Sequence, residues 1–326
     1  MYLPRIIIGT LMNLEIWTFL TLNIICLYCM KRGRMYANKE NPAYLITTFN
    51  LLSETCQLCV HFFYIGPSIL FGDWFFGSQG SLGVTIASVL FLGLWYLGSL
   101  IQVLMATNRL FVVFFPGRKI LTYDRLLWVM AGMIVFAAGI VSYSQLISPC
   151  CRITPDFNVY SYSYLVFENQ TENPSMTFVD VPLDLSTSVI CATSYCALFF
   201  YVYGMNKGGE SSHRKREIKL CFQFLLMFLA YTVAWTTFFI LPATGVTLPE
   251  AYMITSVNVI ANCGVNGVIY LTMNKEIKFE LKKFLGKVSP SAVITSTGNN
   301  NSKYNGASNS NQETSHHAAT TVTSNT

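Results

Sequence analysis

The chain has 326 residues, of which 52% are hydrophobic and 11% charged, and its mean hydropathy is +0.44. Soluble domains carry about 25% charged residues, so too little charge remains here to cover a water-facing surface. The apolar excess also excludes disorder over the whole length, and 10 Cys are too dilute for a disulfide-stapled miniprotein. The composition is that of a membrane protein.

Apolar runs long enough to cross a bilayer core, roughly 20 residues, fall at 6–30, 44–71, 82–108, 126–147, 185–203, 220–241 and 251–273. They are apolar on all sides rather than alternating, which predicts helices and not barrel strands. The first run is too long for the apolar part of a signal peptide and is expected to be retained. The expected fold is an all-α membrane protein, a seven-transmembrane helix bundle.

An odd number of spans puts the termini on opposite sides, and the basic residues choose between them. Lys31, Arg32, Arg34 and Lys39 follow the first run, and Arg109, Arg118, Lys119 and Arg125 follow the third. Lys207, Arg214, Lys215, Arg216 and Lys219 precede the sixth, and Lys275, Lys278, Lys282, Lys283, Lys287 and Lys303 follow the seventh. Only Arg5 and Arg152 of the 21 Lys+Arg are left for the other face. A multi-pass protein with a cytoplasmic C-terminus and an outer N-terminus is therefore expected, in the plasma membrane.

The acids Asp73, Asp156, Glu168, Glu172, Asp180, Asp184 and Glu250 fall on the outer side. So does the sequon Asn169-Gln170-Thr171, which is expected to be glycosylated at Asn169. The sequon at Asn300 lies in the tail and is expected to stay unused. Cys26, Cys29, Cys56, Cys59, Cys196, Cys221 and Cys263 lie within spans or toward the cytoplasm, where free Cys behaves as a small apolar residue. Cys150 and Cys151, with Cys191 at the margin, reach the oxidising side, and the sequence leaves their pairing open.

The stretch 148–184, rich in Tyr, Pro and acids, is long enough to fold over the outer mouth. Ile277, Leu281, Phe284 and Leu285 share a helical face opposite Lys275, Lys278, Lys282 and Lys283, a pattern for a short amphipathic helix on the anionic inner leaflet. Phe279 falls off that stripe. Residues 287–326 are Ser/Thr/Asn-rich, cannot bury a core, and are expected to form a disordered tail behind a receptor domain of residues 1–286.

Metal, nucleotide and hydrolase motifs are missing: there is no HExxH, no GxxxxGK[ST] and no GxGxxG after a strand. No catalytic residues, cofactor, metal or nucleic-acid partner are expected. The spans hold three ionisable groups, Glu15, Glu54 and His61, and such groups face the bundle interior by default. Glu54 and His61, seven residues apart, share a helical face and form either a polar track or two separately satisfied groups.

Four local patterns resemble rhodopsin-like G-protein-coupled receptors. Asn108-Arg109-Leu110 with Pro116 is similar to D-R-Y with its downstream Pro. Asn266-Gly267-Val268-Ile269-Tyr270 is similar to N-P-x-x-Y. Tyr231-x-x-Ala234-Trp235-x-Thr237 is similar to F-x-x-C-W-x-P without its Pro. Asn50-Leu51-Leu52-Ser53-Glu54 is close to N-L-x-x-x-D, with the carboxylate one residue early and Thr55 in its place. Val84 stands where most such receptors carry the Cys that ties the third span to the outer loop. Leu94-Trp95-Tyr96-Leu97, leading to Ala106-Thr107-Asn108-Arg109 and Phe114-Phe115-Pro116, resembles the signature of nematode serpentine chemoreceptors, nearest the Srx type.

The resemblance implies a chemosensory receptor that binds a small molecule outside and activates a heterotrimeric G protein inside, with a sensory cilium as one membrane it allows. It implies an activation switch of Asn108, Arg109, Glu217, Trp235, Asn266 and Tyr270, with Glu217 holding Arg109 at rest. His61, Tyr64, Trp95, Tyr96, Trp235 and Phe238 are the expected ligand-cavity residues, and Glu54 and Thr55 the interior polar pair. The competing class is a seven-helix transporter or ligand-gated channel, whose one hint is a possible break at Gly264 and Gly267. Oligomeric state cannot be read from these residues.

Overall fold

The computed structural model describes residues 3–115, 118, 120–148, 150–166, 173–204 and 211–286, with only the backbone described at 202 and 211–221. Two units divide the chain, Met1–Leu281 and Lys282–Thr326. Of the second, residues 282–286 are described, so the tail expected over 287–326 lies outside the described residues.

The first unit is a seven-helix membrane bundle. Helix α1 is Leu3–Arg32. The second span comprises α2 (Ala43–Val60), a π turn at His61–Ile65 and α3 (Gly66–Phe71). Helix α4 is Leu82–Phe114, and α5 (Tyr123–Ser142) runs into a second π turn, Tyr143–Ile147. A third, Met176–Asp180, leads into α6 (Val181–Gly204). Helices α7 (Ser211–Ala243) and α8 (Met253–Met273) complete the set, and α9 (Lys275–Phe284) follows.

Six of these spans are long and apolar enough to cross a membrane unaided. The second is interrupted by its π turn and diluted by Asn50, Ser53, Glu54, Thr55, Gln57 and His61, all of them buried. Polarity is inverted relative to a soluble core: His61 is 0% exposed, whereas Val135 is 72% exposed. That inversion is stable only where the surrounding solvent is hydrocarbon, because each buried polar group must then find a partner inside the bundle.

The fifth span differs from expectation. It begins at Met176 rather than Leu185, so Asp180 and Asp184 are not outer-loop acids but buried bundle residues. Pro182 reads as a helix stop in the sequence, yet it lies inside the span, directly after the π turn at Met176–Asp180. The π turn before it carries the helix through. Asp180 and Asp184 therefore join Glu15, Glu54 and His61 within the spans.

Helix α8 is continuous, so Gly264 and Gly267 do not mark a break. They are where α1 comes closest: a Cβ at Gly264 would overlap the Phe19 ring and one at Gly267 the Asn23 amide. Asn23 donates from Nδ2 to the Cys263 carbonyl at 2.9 Å, locking that contact. Because the Phe19 atoms in the way include its Cβ, a rotamer change cannot clear them. Gly264→Ala is expected to cost about 1–3 kcal/mol through overpacking, read as a lower melting temperature of the detergent-purified protein. An unchanged melting temperature would refute the close α1–α8 contact.

Helix α9 starts on an Asn cap, the Asn274 side chain accepting from the N–H groups of Glu276 (2.9 Å) and Ile277 (3.2 Å). Ile277 is buried, Phe279 is exposed, and Glu280 meets Arg32 at 3.8 Å.

Residues from the long connection form an antiparallel hairpin, β1 (Arg152–Asp156) with β2 (Ser161–Leu165), pairing Thr154 with Ser163. An isolated two-stranded hairpin is marginal, and this one is held from outside. Gln79 Nε2 donates to Thr154 (2.7 Å) and Ser163 (3.2 Å), Ser256 to the Tyr160 carbonyl (3.1 Å), and Trp74 Nε1 to the Pro155 carbonyl (3.3 Å). Just before β1, Cys150 and Cys151 are disulfide-bonded to each other, while Cys191 is free and buried. Val84, buried on α4, leaves that helix without a cysteine tie to the loop.

Candidate functional site

Two buried polar systems lie at opposite ends of the bundle. The first surrounds a cavity beneath the hairpin. Helix α4 contributes Phe91, Leu92 and Trp95, α7 contributes Trp235, Phe238 and Phe239, and α8 contributes Thr255 and Val259. Ile153 and Tyr162 close it from the hairpin, and Asp180 and Asp184 reach it from the fifth span. Strand alternation puts Ile153 and Tyr162 on the covered side.

Three groups converge on Asp184 Oδ1: Trp95 Nε1 at 3.1 Å, Tyr231 Oη at 2.8 Å and Ser99 Oγ at 3.4 Å. Trp95 and Tyr231 also stack, with centroids 5.5 Å apart. One turn away, Asp180 accepts from the Tyr96 hydroxyl on one oxygen and from Tyr164 at 2.8 Å on the other. The pair thereby ties α4, α7 and the hairpin to the fifth span. Burial, and then the nearby Asp180 carboxylate, push the Tyr164 hydroxyl far above its ordinary value, so it stays a donor.

Of the residues expected at a ligand cavity, Trp95, Trp235 and Phe238 line this one. Trp235 is fixed by its Nε1 donating to Ser188 Oγ at 2.9 Å. Tyr96 sits behind the lining, bonded to Asp180 and 3.3 Å from Ser144 Oγ. His61 is also behind it. Its Nδ1, 2.8 Å from the Gln57 carbonyl, must carry the proton, which leaves Nε2 to accept from the Tyr162 hydroxyl. Tyr162 stacks on Phe91 with centroids 4.2 Å apart, and burial pushes its hydroxyl well up. Tyr64 lies away from the cavity, stacked on Phe76 and donating to the Trp74 carbonyl at 3.1 Å.

The second system is near the α9 end. Glu54 accepts from Asn50 Nδ2 at 2.9 Å and from Asn266 Nδ2, joining α2 to α8. Thr55 bonds back to the Leu51 carbonyl at 2.6 Å. Glu54, one residue earlier and one methylene longer than Asp, is thus the group that reaches Asn266. Glu54 and His61 share a buried face but belong to separate networks.

Tyr270 Oη meets the Met227 sulfur at 3.8 Å. Arg109 places its guanidinium 4.5 Å from the centre of the Phe224 ring on α7, a cation–π contact, beside the buried Asn108. The Glu217 side chain and the Asn169 sequon lie outside the described residues. At the position where the resemblance expects Pro, the Thr237 hydroxyl bonds back to the Val233 and Ala234 carbonyls, both at 3.0 Å.

Asp180, Asp184, Tyr162, Tyr164, Ser99 and Thr255 were not among the expected cavity residues. The four-residue spacing of Asp180 and Asp184, directly ahead of an apolar run, was the available signal for the acids. Nothing local in the sequence marks the hairpin tyrosines.

Comparison with known families matches residues 18–274 to the family described as serpentine type 7TM GPCR chemoreceptor Srx. A search of curated proteins found no match.

Proposed function

Since the chain belongs to the Srx family of serpentine seven-helix chemoreceptors, we propose that it binds a small molecule in the cavity beneath the hairpin and activates a heterotrimeric G protein at the α9 end. In this reading the hairpin faces outside at the plasma membrane, Asn169 carries a glycan, and the basic face that includes α9 lies in the cytoplasm.

The observation that carries it is the course of α7. Trp235 lines the cavity and Phe224, eleven residues earlier on the same helix, stacks under Arg109. At 1.5 Å per residue the two contacts are about 16 Å apart along one rigid rod. A ligand that favours one position of Trp235 therefore biases the contact at Arg109, and only such differential affinity shifts a two-state bundle. Glu217 lies two turns beyond Phe224 toward the α9 end, and we assign it as the resting partner of Arg109. Asn266 and Tyr270 are assigned as packing switches across α2, α7 and α8.

The test is agonist-driven nucleotide exchange on a panel of Gα subunits by the purified receptor. Arg109→Ala is expected to lower that exchange at least tenfold, about 1.4 kcal/mol or more of coupling, with surface expression unchanged. A full response from the variant would sink the scheme.

A further inference from the structure

The charge around the cavity does not balance. Asp180 and Asp184 are 3% and 4% exposed, and among the described residues neither forms an ion pair with Lys, Arg or His. Among the described residues, no basic side chain lines the cavity. Asp180 has both oxygens occupied by tyrosine hydroxyls. Asp184 does not: Trp95, Ser99 and Tyr231 all converge on Oδ1, and Oδ2 has no hydrogen-bond partner among the described residues. The Thr255 hydroxyl, on the α8 wall and 2% exposed, is likewise unpartnered there.

A buried carboxylate with one free oxygen calls for a cation, because leaving it uncompensated is costly. Neutral donors on Oδ1 hold the carboxylate in place but do not cancel its charge. The other walls are aromatic faces, Phe91, Trp95, Trp235 and Phe238, which attract a cation through the ring quadrupole and pack against an apolar skeleton. We infer that the ligand is a small protonated amine whose ammonium group hydrogen-bonds to Asp184 Oδ2, with the Thr255 hydroxyl as a second contact and its hydrocarbon against Trp235 and Phe238. This deepens the receptor reading and rests on the cavity being its ligand site.

The experiment uses the full-length receptor in lipid nanodiscs at neutral pH. The probes are benzylamine and 2-phenylethylamine, set against benzyl alcohol and 2-phenylethanol, which keep each skeleton without the charge. Binding is read as a saturable rise in melting temperature, and nucleotide exchange is measured in parallel. The amines are expected to bind at least tenfold more tightly than the alcohols. Asp184→Asn, which keeps an acceptor at Oδ1, is expected to weaken the amines about 10- to 100-fold, the range for a charged hydrogen bond, and to leave the alcohols unchanged.

Equal binding of amines and alcohols, absence of any amine-dependent shift, or undiminished amine affinity in Asp184→Asn would each overturn the inference. If that variant does not fold, the amine-to-alcohol ratio in the wild type decides alone. Amine binding without exchange would remove the receptor reading and leave the amine site standing. Exchange evoked by the alcohols alone would do the reverse.

Discussion

Glu54→Ala is expected to destabilise the bundle by about 2–4 kcal/mol, taking two hydrogen bonds to a carboxylate at values between membrane and soluble proteins. The loss is larger than the side chain alone suggests, because Asn50 and Asn266 keep their amide donors buried at 1% and 0% exposure with no acceptor left. Glu54→Gln retains one carbonyl oxygen and should lose less. A cycle of Glu54→Ala with Asn266→Ala, read by thermal denaturation in detergent, should show coupling of at least about 0.5 kcal/mol. Strictly additive losses would mean that the contact between α2 and α8 contributes nothing.

The second large effect is expected at Asp180. This residue holds Tyr96 of α4 and Tyr164 of β2 at once, so Asp180→Ala removes the carboxylate that ties the hairpin to the fifth span and strands two buried hydroxyls. A loss of about 2–4 kcal/mol follows from the same range for bonds to charged groups. What separates this variant from Glu54→Ala is locality. The hairpin should become the preferred site of limited proteolysis, since only its ties at Gln79, Ser256, Trp74 and His61 would remain. Equal protease resistance in wild type and variant would show that Asp180 does not hold the hairpin down.

These two residues also show how far the sequence could be read. Glu54 was visible because the bundle makes a lone acid in an apolar run conspicuous, and because a motif places its partner, Asn266, in a known span. Asp180 was hidden. It precedes Val181-Pro182 and follows a polar loop, so every local signal says that no helix has begun, and only the π turn at Met176–Asp180 carries helical structure back to it. The hairpin tyrosines were unreadable for a different reason: Tyr162 and Tyr164 acquire roles through partners 101 and 16 residues away, and alternation over five residues in a Tyr-rich loop does not specify which partners those are. The spans themselves were legible because apolarity over a bilayer thickness is a property of the chain alone. Their ends were not, since α7 and the fifth span each run past the apolar stretch into polar residues.

Among the described residues, three of the seven spans contain a π turn, at His61–Ile65, Tyr143–Ile147 and Met176–Asp180, and all three lie toward the hairpin end. Each accommodates one residue more than an α-helix would over the same stretch, which amounts to a single-residue insertion absorbed without a loop. Counting along a helix from a motif near the α9 end therefore stays in phase through the Glu54 and Arg109 region. It slips by one residue, about 100° around the axis, once a π turn is crossed. For related chains that lack these insertions, a residue aligned with His61 or Asp180 would face a different neighbour, so small gaps in these segments can change the walls of the cavity while the opposite end keeps its arrangement.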